Sequence, residues 1–307
     1  ALRDCGAETV FLHFPAMRSK PRALPLPPAL SHLNPFLNSE ETGPVSFFRG
    51  FREFGPPPEV CAKKIRDLRP DICLLACFAY AYTPALFDLA KALHAGAPQI
   101  PIFAGGAGIS VAPETALRST PLTGVMIGEP DAAIPELVRA AARKKPLNSV
   151  PNLLLRQEDN IQYPAVCTRP DPVPFTAERF TARDGRIRIT TMLSRGCPRK
   201  CRFCSAGLVH GRRFRKIPAD TFFAQLRETV GQTDRPVHVN FEDDNLLLDF
   251  PYFSDILDRL SRRFREFTFS AENGMDYLLL NRRRVRFLAE RGITRFNLSI
   301  MSTDQRV

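Results

Sequence analysis

The fold of this chain is constrained most by an alternation of short apolar segments with longer amphipathic ones. The first series contains DICLLACFAY, PALFDLAKALHAG and IPIFAGGAG, and it ends with GVMIGEPDAAIPELVRAAAR. Short apolar strands that alternate with helices indicate a parallel sheet with helices packed on its faces. We therefore predict a doubly wound α/β sheet in the N-terminal half. A helix at VCAKKIRDLRP and, earlier, a strand at residues 9–14 (TVFLHF) are predicted to precede it, with an irregular proline-dense region between them.

A second alternating series begins at residue 186. Its predicted strands are RIRITTML, VHVNFEDD, FTFSAENG and RFNLSIMS, and its predicted helices are ADTFFAQLRETVG, YFSDILDRLSRRF and YLLLNRRRVRFLAERG. Several of these strands end in polar residues, as they do in (β/α) barrels, where functional residues stand at the C-terminal ends of the strands. Because the sequence stops at Val307, after the fourth strand, we expect a partial barrel that is truncated or is completed by other residues.

The segment between the two series indicates a domain boundary. NLLLRQEDNIQYP (152–164) predicts a hairpin that turns at Asp159 and Asn160, and TRPDPVPF (168–175) is a linker stiffened by three prolines. A chain of 307 residues favours two domains over one. We divide it into a first domain (1–150), a hairpin and linker (151–185) and a barrel domain (186–307).

Composition excludes two classes of protein. With 44% hydrophobic and 24% charged residues the chain is typical of soluble globular proteins, and no apolar run is long enough to span a bilayer. The eight cysteines lack the regular spacing of a disulfide scaffold, which predicts a reducing, cytoplasmic setting. The net charge of +11 would suit an anionic partner such as a nucleic acid, but we favour a solvated basic surface.

Three closely spaced cysteines indicate a metal centre. LSRGCPRKCRFCSAG (193–207) places Cys197, Cys201 and Cys204 in a C-x3-C-x2-C spacing directly after a predicted strand. Structural zinc sites use four ligands, and here a fourth could come only from a distant residue. Cysteine thiolates are the usual ligands of iron–sulfur clusters. A four-iron cluster held by three cysteines would leave one iron free to bind a substrate.

RGCPRKCRFC resembles the signature of the radical S-adenosylmethionine (radical SAM) superfamily, including Phe203, the aromatic residue before the third cysteine. The resemblance covers roughly residues 186–307 and implies a 4Fe–4S cluster whose free iron chelates SAM. It also implies the chemistry: an electron from the reduced cluster cleaves SAM to methionine and a 5′-deoxyadenosyl radical, which takes hydrogen from an unactivated carbon. The protein orients and shields these cofactors.

The same resemblance implies which residues contact SAM. In the superfamily the end of the second barrel strand meets the amino group of SAM, often through Gly-Gly-Glu. Here residues 242–245 (EDDN) lack the glycines but retain acceptors for an ammonium group. Helix N-capping is the alternative for the last two of them, and ordinary hydrogen bonding at the barrel top is the alternative for the others. The SAM contacts implied by position are Phe203, Glu242, Asp243, Glu272, Asn273 and Ser302.

Two glycine-containing turns in the first series resemble those of the cobalamin-binding domain found upstream of many radical SAM barrels. Gly105 and Gly106 follow one strand, and Gly128 and Glu129 follow the next. Lacking a Cβ, the glycines would let the backbone approach the nucleotide tail of cobalamin. A dinucleotide site is the weaker alternative, because Val111 replaces the third glycine of G-x-G-x-x-G. None of the five histidines stands in the D-x-H-x-x-G context that supplies an axial ligand in many cobalamin proteins.

The two resemblances imply a cobalamin-dependent radical SAM enzyme with a Rossmann-like, cobalamin-binding domain over a partial barrel. The commonest reaction of this pairing is methylation of an unactivated carbon, although rearrangement and cyclisation also occur, and the organic substrate is unknown. A flavodoxin- or ferredoxin-like electron donor is implied as a partner. The seven basic residues from Arg199 to Lys216 could dock such a donor or an anionic substrate, but we favour local compensation of the cluster charge.

Two other functions stay open from the sequence. A methylthiotransferase acting on RNA or protein has a similar two-domain layout but needs three more cysteines for a second cluster. The candidates are Cys5, Cys61 and either Cys73 or Cys77, and the last two lie in an apolar strand where burial is expected. A non-enzymatic electron-transfer or sensor module would bind a cluster without cleaving SAM.

Overall fold

Two separate sheets organise the computed structural model of this chain, which describes residues 6–17, 20–26, 28, 30–32, 51–158 and 160–298. The strands are β1 (Arg22–Leu24), β2 (Phe51–Glu53), β3 (Cys73–Ala76), β4 (Ile102–Gly105), β5 (Gly124–Met126), β6 (Leu153–Arg156), β7 (Ile161–Gln162), β8 (Ala177–Thr181), β9 (Ile187–Thr191), β10 (Ser194–Arg195), β11 (Arg215–Lys216), β12 (Val237–Phe241) and β13 (Phe267–Ser270). The helices are α1 (Pro58–Asp67), α2 (Thr83–Gly96), α3 (Ala107–Ser110), α4 (Pro113–Ser119), α5 (Ala133–Ala142), α6 (Ala206–Val209), α7 (Ala219–Val230), α8 (Phe250–Arg263) and α9 (Arg282–Glu290).

The first sheet has the strand order β3-β4-β5-β6-β7. Its first three strands are parallel, while β6 and β7 are antiparallel and form the predicted hairpin. The turn of the hairpin is closed by two backbone hydrogen bonds between Gln157 and Asn160, of 2.9 and 3.0 Å. Asp159, the other residue predicted for this turn, lies outside the described residues.

Helices cover both faces of the first sheet, as the sequence predicts. Successive residues of a strand point to opposite faces, and Ile102 and Ala104 pack into one core while Phe103 packs into another. The first core is shared with α1, α2 and α4, and the second with α5. The alternating series therefore forms the expected α/β sheet, and the carboxyl ends of its parallel strands carry the two glycine turns.

The strand predicted at residues 9–14 is not formed. This segment is irregular and ends in a 3₁₀ turn at Phe14–Ala16, with Phe11 84% exposed. Neither of the two strands at the ends of the described sheet pairs with it. The edge strand β3 is accordingly buried on one face only: Leu75 is buried, whereas Leu74 is 39% exposed. The apolar run in β3 thus belongs to an edge strand that is covered on one face, and the burial expected for Cys73 and Cys77 is confirmed.

The second sheet has the order β13-β12-β9-β8 and corresponds to the predicted barrel series. β9, β12 and β13 are parallel and in register, with Ile189 beside Val239 and Val239 beside Phe269. The antiparallel strand β8 was not predicted. It pairs with β9 through a turn at Asp184 and Gly185, where Gly185 adopts a φ of +82°. Asp-Gly is a strong hairpin signal, so the sequence did contain the information.

The covered face of the second sheet is closed by aromatic side chains. Phe241, Phe253 and Phe269 pack edge to face, with ring centroids 5.4 to 6.2 Å apart, and all three are buried. Edge-to-face geometry suits the quadrupoles of aromatic rings. The opposite face of β12 carries His238 and Asn240, which alternate with these apolar residues. One face of the sheet therefore supplies the core, and the other supplies polar groups.

The predicted third helix and fourth strand of this series are shorter than expected. Tyr277–Leu279 forms a 3₁₀ turn, and α9 begins at Arg282 because the Asn281 side chain accepts a hydrogen bond from the Arg284 amide and caps the helix. Only residues 295–298 of the predicted strand RFNLSIMS are described; there Leu298 forms an isolated parallel bridge with Met275, and Ile293, just before this segment, forms another with Phe269. Residues 299–307, including Ser302, lie outside the described part of the chain.

The aromatic cluster generates a stability prediction. We expect Phe269→Ala to lower the free energy of unfolding by about 3–5 kcal/mol, because it leaves a cavity among three packed rings. Phe180→Ala, at a half-exposed position on β8, should change it by no more than about 0.5 kcal/mol. Urea denaturation of both variants measures the difference, and equal effects would contradict the packing described.

Candidate functional site

The cysteine loop begins just after the carboxyl end of β9, and its two ends are paired with each other. Its base is the short antiparallel ladder in which Ser194 pairs with Lys216 and Arg195 with Arg215. The chain leaves this ladder at Gly196, whose φ is +89° and where a Cβ would collide with the carbonyl oxygen of Arg213. Only glycine satisfies both requirements. Residues 196–214 therefore form a loop whose two ends are held together.

All three thiols of this loop are free. Cys201 and Cys204 are exposed, whereas Cys197 is 9% exposed and its amide donates to the carbonyl oxygen of Gly211 (3.2 Å). Within the described ranges, no three His, Cys, Asp or Glu side chains converge as ligands of one metal ion. A cluster binds each cysteine through a different iron, so its thiolates do not meet at one point. Three free thiols in one loop fit such a cluster by donor chemistry.

Asp243, at the end of β12, braces the entrance of the loop. Its buried carboxylate accepts hydrogen bonds from the Leu193 amide (3.1 and 3.2 Å) and from the Ser194 hydroxyl. Burial raises the pKa of Asp243 to about 7, against the lowering effect of these hydrogen bonds. Asp243 is thus bonded to the backbone that leads into the loop, and its predicted contact with SAM stays a prediction.

The next two residues brace the loop itself. Asp244 accepts a hydrogen bond from the Gly196 amide (2.6 Å) and contacts Nδ1 of His210 (2.8 Å). Nδ2 of Asn245 lies 3.9 Å from Sγ of Cys197. The sequence offered helix capping as the alternative for these two residues, but α8 is capped by Asp249, which accepts from the Tyr252 amide. Three consecutive side chains of one turn therefore hold the cysteine loop.

Three of the predicted SAM contacts meet at the carboxyl ends of β12 and β13. Asn240 links them: its Nδ2 donates to Glu242, and its Oδ1 accepts from the Glu272 amide (3.0 Å). Asn273 donates to the carbonyl oxygens of residues 242 and 243 (3.4 and 3.2 Å). Acceptors are thus gathered at these two strand ends, and their predicted contacts with SAM stay predictions. Phe203, a fourth candidate, is 67% exposed in the loop.

A buried polar relay runs across the same face of the sheet. The His238 ring contacts the hydroxyls of Thr268 (2.9 Å) and Ser270 (3.0 Å), and Ser270 donates to Oδ1 of Asn240 (3.0 Å). Burial, followed by nearby arginines, lowers the pKa of His238. A neutral imidazole therefore holds Asn240 in place through Ser270. His238, Asn240 and Thr268 were not among the site residues predicted from the sequence, although alternate polar residues in an apolar strand were a visible signal.

Ser110 brings together the two glycine turns of the first sheet. Its hydroxyl donates to the carbonyl oxygen of Gly106 (2.9 Å) and accepts from the Gly128 amide (3.1 Å). Gly106 has a φ of +109°, and a Cβ there would lie 2.5 Å from the carbonyl oxygen of Cys77. A Cβ on Gly105 would meet only ordinary contacts with Met126. The protein's own packing therefore accounts for Gly106, and contact with cobalamin stays a prediction for all three glycines.

Glu129 lies in a buried ion cluster between the two sheets. Its carboxylate accepts hydrogen bonds from Arg195 (3.0 Å) and Arg215, and Asp131 pairs with Arg195 at 2.6 Å. The side chains of Glu129, Arg195 and Arg215 are almost completely buried. Both carboxylate oxygens of Glu129 are thus used inside the protein. Its predicted cobalamin contact is untested, and the arginines of the ion cluster were missed by sequence reasoning.

The carboxyl edge of the first sheet presents an exposed aromatic surface. Phe78 is 78% exposed, and Tyr80 and Tyr82 on the same loop are more than half exposed. This loop contacts α3, which in turn contacts α6 of the cysteine loop. Exposed apolar patches indicate binding surfaces, and a large planar macrocycle has the shape to cover one. The glycine turns and this aromatic edge together fit a cobalamin-type ligand.

The basic residues of the cysteine loop have specific local partners. Arg199 pairs with Asp276, Arg213 with Asp171 and Lys216 with Asp249, while Arg215 belongs to the ion cluster. Four of the seven basic residues therefore neutralise nearby carboxylates, and compensation of the cluster charge, the interpretation that we favoured, stays a prediction. A continuous basic channel would need them to be unpaired.

Cys61, Cys73 and Cys77, the described cysteines named for a second cluster, are poor ligand candidates. Burial raises the pKa of Cys73 to about 11 and also raises the pKa values of Cys61 and Cys77. A thiol must be deprotonated to bind a metal, and apolar burial opposes this. Cys5 lies outside the described residues.

Comparisons with known proteins find sequence similarity to two curated methyltransferases. No family model matches it. It is 24% identical over 259 residues to the hopanoid C-3 methylase of Methylococcus capsulatus, covering 79% of this chain and 47% of that protein. It is 25% identical to an uncharacterised methyltransferase of Pyrococcus horikoshii, covering 80% of this chain and 55% of that protein. The chain therefore spans about half the length of these curated relatives.

Solved structures share its fold. The radical SAM methyltransferase TsrM from Kitasatospora setae, with tryptophan and a SAM analogue bound, superposes with a TM-score of 0.63 at 14% identity, over 81% of this chain and 52% of TsrM. The cobalamin-dependent radical SAM enzyme OxsB, with aqua-cobalamin and SAM bound, gives 0.59 at 17% identity, over 81% of this chain and 38% of OxsB.

The α/β sheet followed by a partial barrel with a C-x3-C-x2-C loop is the fold that this chain shares with the radical SAM enzymes TsrM and OxsB. This shared fold and the sequence similarity to the hopanoid C-3 methylase agree with the radical SAM resemblance noted from the sequence. Among the described residues, no helix is both long and apolar enough to cross a membrane.

The ion cluster leads to a prediction for Glu129→Gln. The substitution keeps the shape of the side chain but leaves two buried guanidinium groups without their shared carboxylate. We expect the free energy of unfolding to fall by about 3–5 kcal/mol. The matched control is Glu136→Gln, whose exposed pair with Arg139 should contribute no more than about 1 kcal/mol. Urea denaturation measures both, and a Glu129→Gln effect as small as that of the control would contradict the account.

Asp243 generates a pH prediction. Its pKa is raised to about 7 in the folded protein from an ordinary value of 3.8, so the folded state binds the proton more tightly than the unfolded state. This contribution to stability is complete below the unfolded pKa and is lost as the pH rises through about 7. We expect the stability of the wild type relative to Asp243→Asn to fall between pH 4 and pH 7.5. Chemical denaturation across this range measures it, and a constant difference would refute the assignment.

Proposed function

We propose that this chain is the cofactor-binding portion of a cobalamin-dependent radical SAM methyltransferase. Cys197, Cys201 and Cys204 would hold a 4Fe–4S cluster, SAM would bind at its free iron, and cobalamin would lie against the first sheet. The observation that carries the proposal is the placement of the three free thiols at the carboxyl ends of parallel strands, in a loop braced by residues 243–245.

The proposed chemistry assigns distinct tasks to the protein. When bound, the reduced cluster would supply the electron that cleaves SAM to methionine and a 5′-deoxyadenosyl radical, and methylcobalamin would supply the methyl group for the substrate radical. Glu242 and Glu272 would accept hydrogen bonds from the amino group and ribose of SAM, with Asn240 fixing their positions. The Gly105-Gly106 and Gly128 turns would support the cobalamin. The aromatic edge formed by residues 78–82 would exclude water from the space between the two sheets.

The relatives support methyl transfer to carbon in preference to the other reactions of this pairing. One is named for methylation at a carbon position of a hopanoid, and the TsrM structure holds tryptophan as its substrate. These substrates differ widely. We therefore propose that this chain acts on an organic substrate that differs from those of its relatives. Part of the substrate site would be formed by residues that correspond to the half of the relatives that this chain does not match. A flavodoxin- or ferredoxin-like protein would supply the electron, in a reducing cytoplasm.

A methylthiotransferase is the second candidate, and three buried cysteines on and around the first sheet argue against it. It would need a second cluster bound by thiolates, while burial raises the pKa of Cys61, Cys73 and Cys77. Iron content separates the two, since one cluster gives about four irons per chain and two clusters about eight.

Anaerobic reconstitution tests the proposal. We expect the wild type to bind about four irons per chain, to retain a corrinoid after gel filtration, and to release 5′-deoxyadenosine from SAM when reduced. Cys201→Ser should lose the cluster and SAM cleavage because one of only three ligands is removed. Cys167→Ser removes another exposed thiol and should change neither.

Each result contradicts a separate part of the proposal. A reduced, iron-loaded wild type that leaves SAM intact would favour the electron-transfer module. A protein that cleaves SAM but never retains a corrinoid would remove cobalamin from the proposal. Equal iron content in Cys201→Ser and Cys167→Ser would refute the assigned ligands.

A further inference from the structure

Asn245 is placed to act on one specific thiol of the cysteine loop. It is 4% exposed, and its Nδ2 lies 3.9 Å from Sγ of Cys197 and 3.2 Å from Oδ2 of Asp276. An amide nitrogen carries two hydrogens, so it can donate to both acceptors. Cys197 is also the only one of the three loop cysteines that is buried in the described structure. Asn245 therefore contacts the thiol with the least access to water.

The orientation of this amide is determined by its neighbours. Exchanging the oxygen and nitrogen of Asn245 would place Oδ1 against the carboxylate of Asp276, where two acceptors would repel each other. Asp276 is held in turn: it accepts from Nε of Arg199 (2.9 Å), and its other oxygen accepts from the Leu278 amide (3.1 Å). The acceptor that points the amide nitrogen toward Cys197 is thus anchored on both sides.

Oδ1 of Asn245 is buried and accepts no hydrogen bond from the described residues. A buried amide with an unsatisfied oxygen is costly, by about 1–3 kcal/mol, and an apolar residue would avoid that cost. The local packing alone does not account for an asparagine here. The amide nitrogen of Asn245 donates to a thiol and a carboxylate, and an apolar residue has no donor for either.

We propose that Asn245 is a positioning residue that tunes the cluster by donating an N–H···S hydrogen bond to the Cys197 thiolate, with Asp276 fixing the direction of the amide. This inference rests on the proposed function. Hydrogen bonds to ligand sulfur stabilise the reduced, more negatively charged state and raise the reduction potential of a cluster. Asn245 makes the electron transfer to the cluster easier without touching the substrate.

The test is an EPR-monitored redox titration of the reconstituted chain with dithionite. Asn245→Ala removes the donor, and Asn245→Asp replaces it with an acceptor of the same shape. We expect the loss of this one hydrogen bond to weaken the reduction equilibrium about fivefold in Asn245→Ala, a shift of about 40 mV to more negative potential for one electron. Asn245→Asp should shift further in the same direction.

Gln225→Ala is the matched control. Gln225 is the other residue with a buried, unpartnered amide oxygen in the described structure, and it lies on α7 outside the cysteine loop. The Gln225→Ala substitution removes a comparable amide without removing a donor to sulfur. The reduction potential of the cluster in this variant should therefore equal that of the wild type. Iron content and melting temperature, measured on every variant, separate a changed potential from a lost cluster.

Asp276→Asn keeps the inference testable if the Asn245 variants do not retain the cluster. It keeps the side-chain shape but no longer dictates the orientation of the Asn245 amide, so a smaller shift to more negative potential is expected. Unchanged potentials in the iron-loaded variants would overturn the inference and leave the proposed function intact. A wild type that binds no four-iron cluster would overturn both.

Discussion

The architecture depends on the buried ion cluster of Glu129, Arg195 and Arg215. Charged groups removed from water are stable only when each is paired and hydrogen-bonded. Here Arg215 also donates to the carbonyl oxygens of Pro170 (2.5 Å) and His210 (2.8 Å). The linker, the cysteine loop and the glycine turn of the first sheet thus meet at one guanidinium. A displacement of any of the three would expose or unpair a buried charge, so this contact sets the position of the cysteine loop relative to the first sheet.

The other parts of the site are built outward from the ion cluster. The ladder of β10 and β11 carries both arginines and closes the base of the loop. Residues 243–245 then hold its entrance, its first glycine and its buried cysteine. The polar face of β12 and β13 gathers Glu242 and Glu272 beside the loop through Asn240. All of these groups lie at or next to the carboxyl ends of strands, which is where parallel sheets place functional groups.

Local patterns predicted the local parts well. Alternating segments gave both sheets and most helices, and the cysteine spacing indicated the loop. The predicted strand at residues 9–14 failed because apolar content does not guarantee a partner strand, and β8 was missed because its Asp-Gly turn was not weighed. The ion cluster could not be predicted from local sequence patterns, because Arg195 and Glu129 are separated by 66 residues. Neither segment contains a pattern that indicates its pairing with the other. Asn245 was noted as a possible helix cap, yet only the fold brings it to Cys197.

We propose that three cysteines hold a four-iron cluster so that its remaining iron binds SAM. Electron–nuclear double resonance on the reduced, reconstituted protein is the decisive experiment, with SAM carrying ¹⁵N in its amino group. We expect a hyperfine coupling between the cluster and the labelled nitrogen, absent with unlabelled SAM. A fully reduced cluster whose spectrum is unchanged by saturating SAM, with no ¹⁵N coupling, would refute binding of SAM at the free iron.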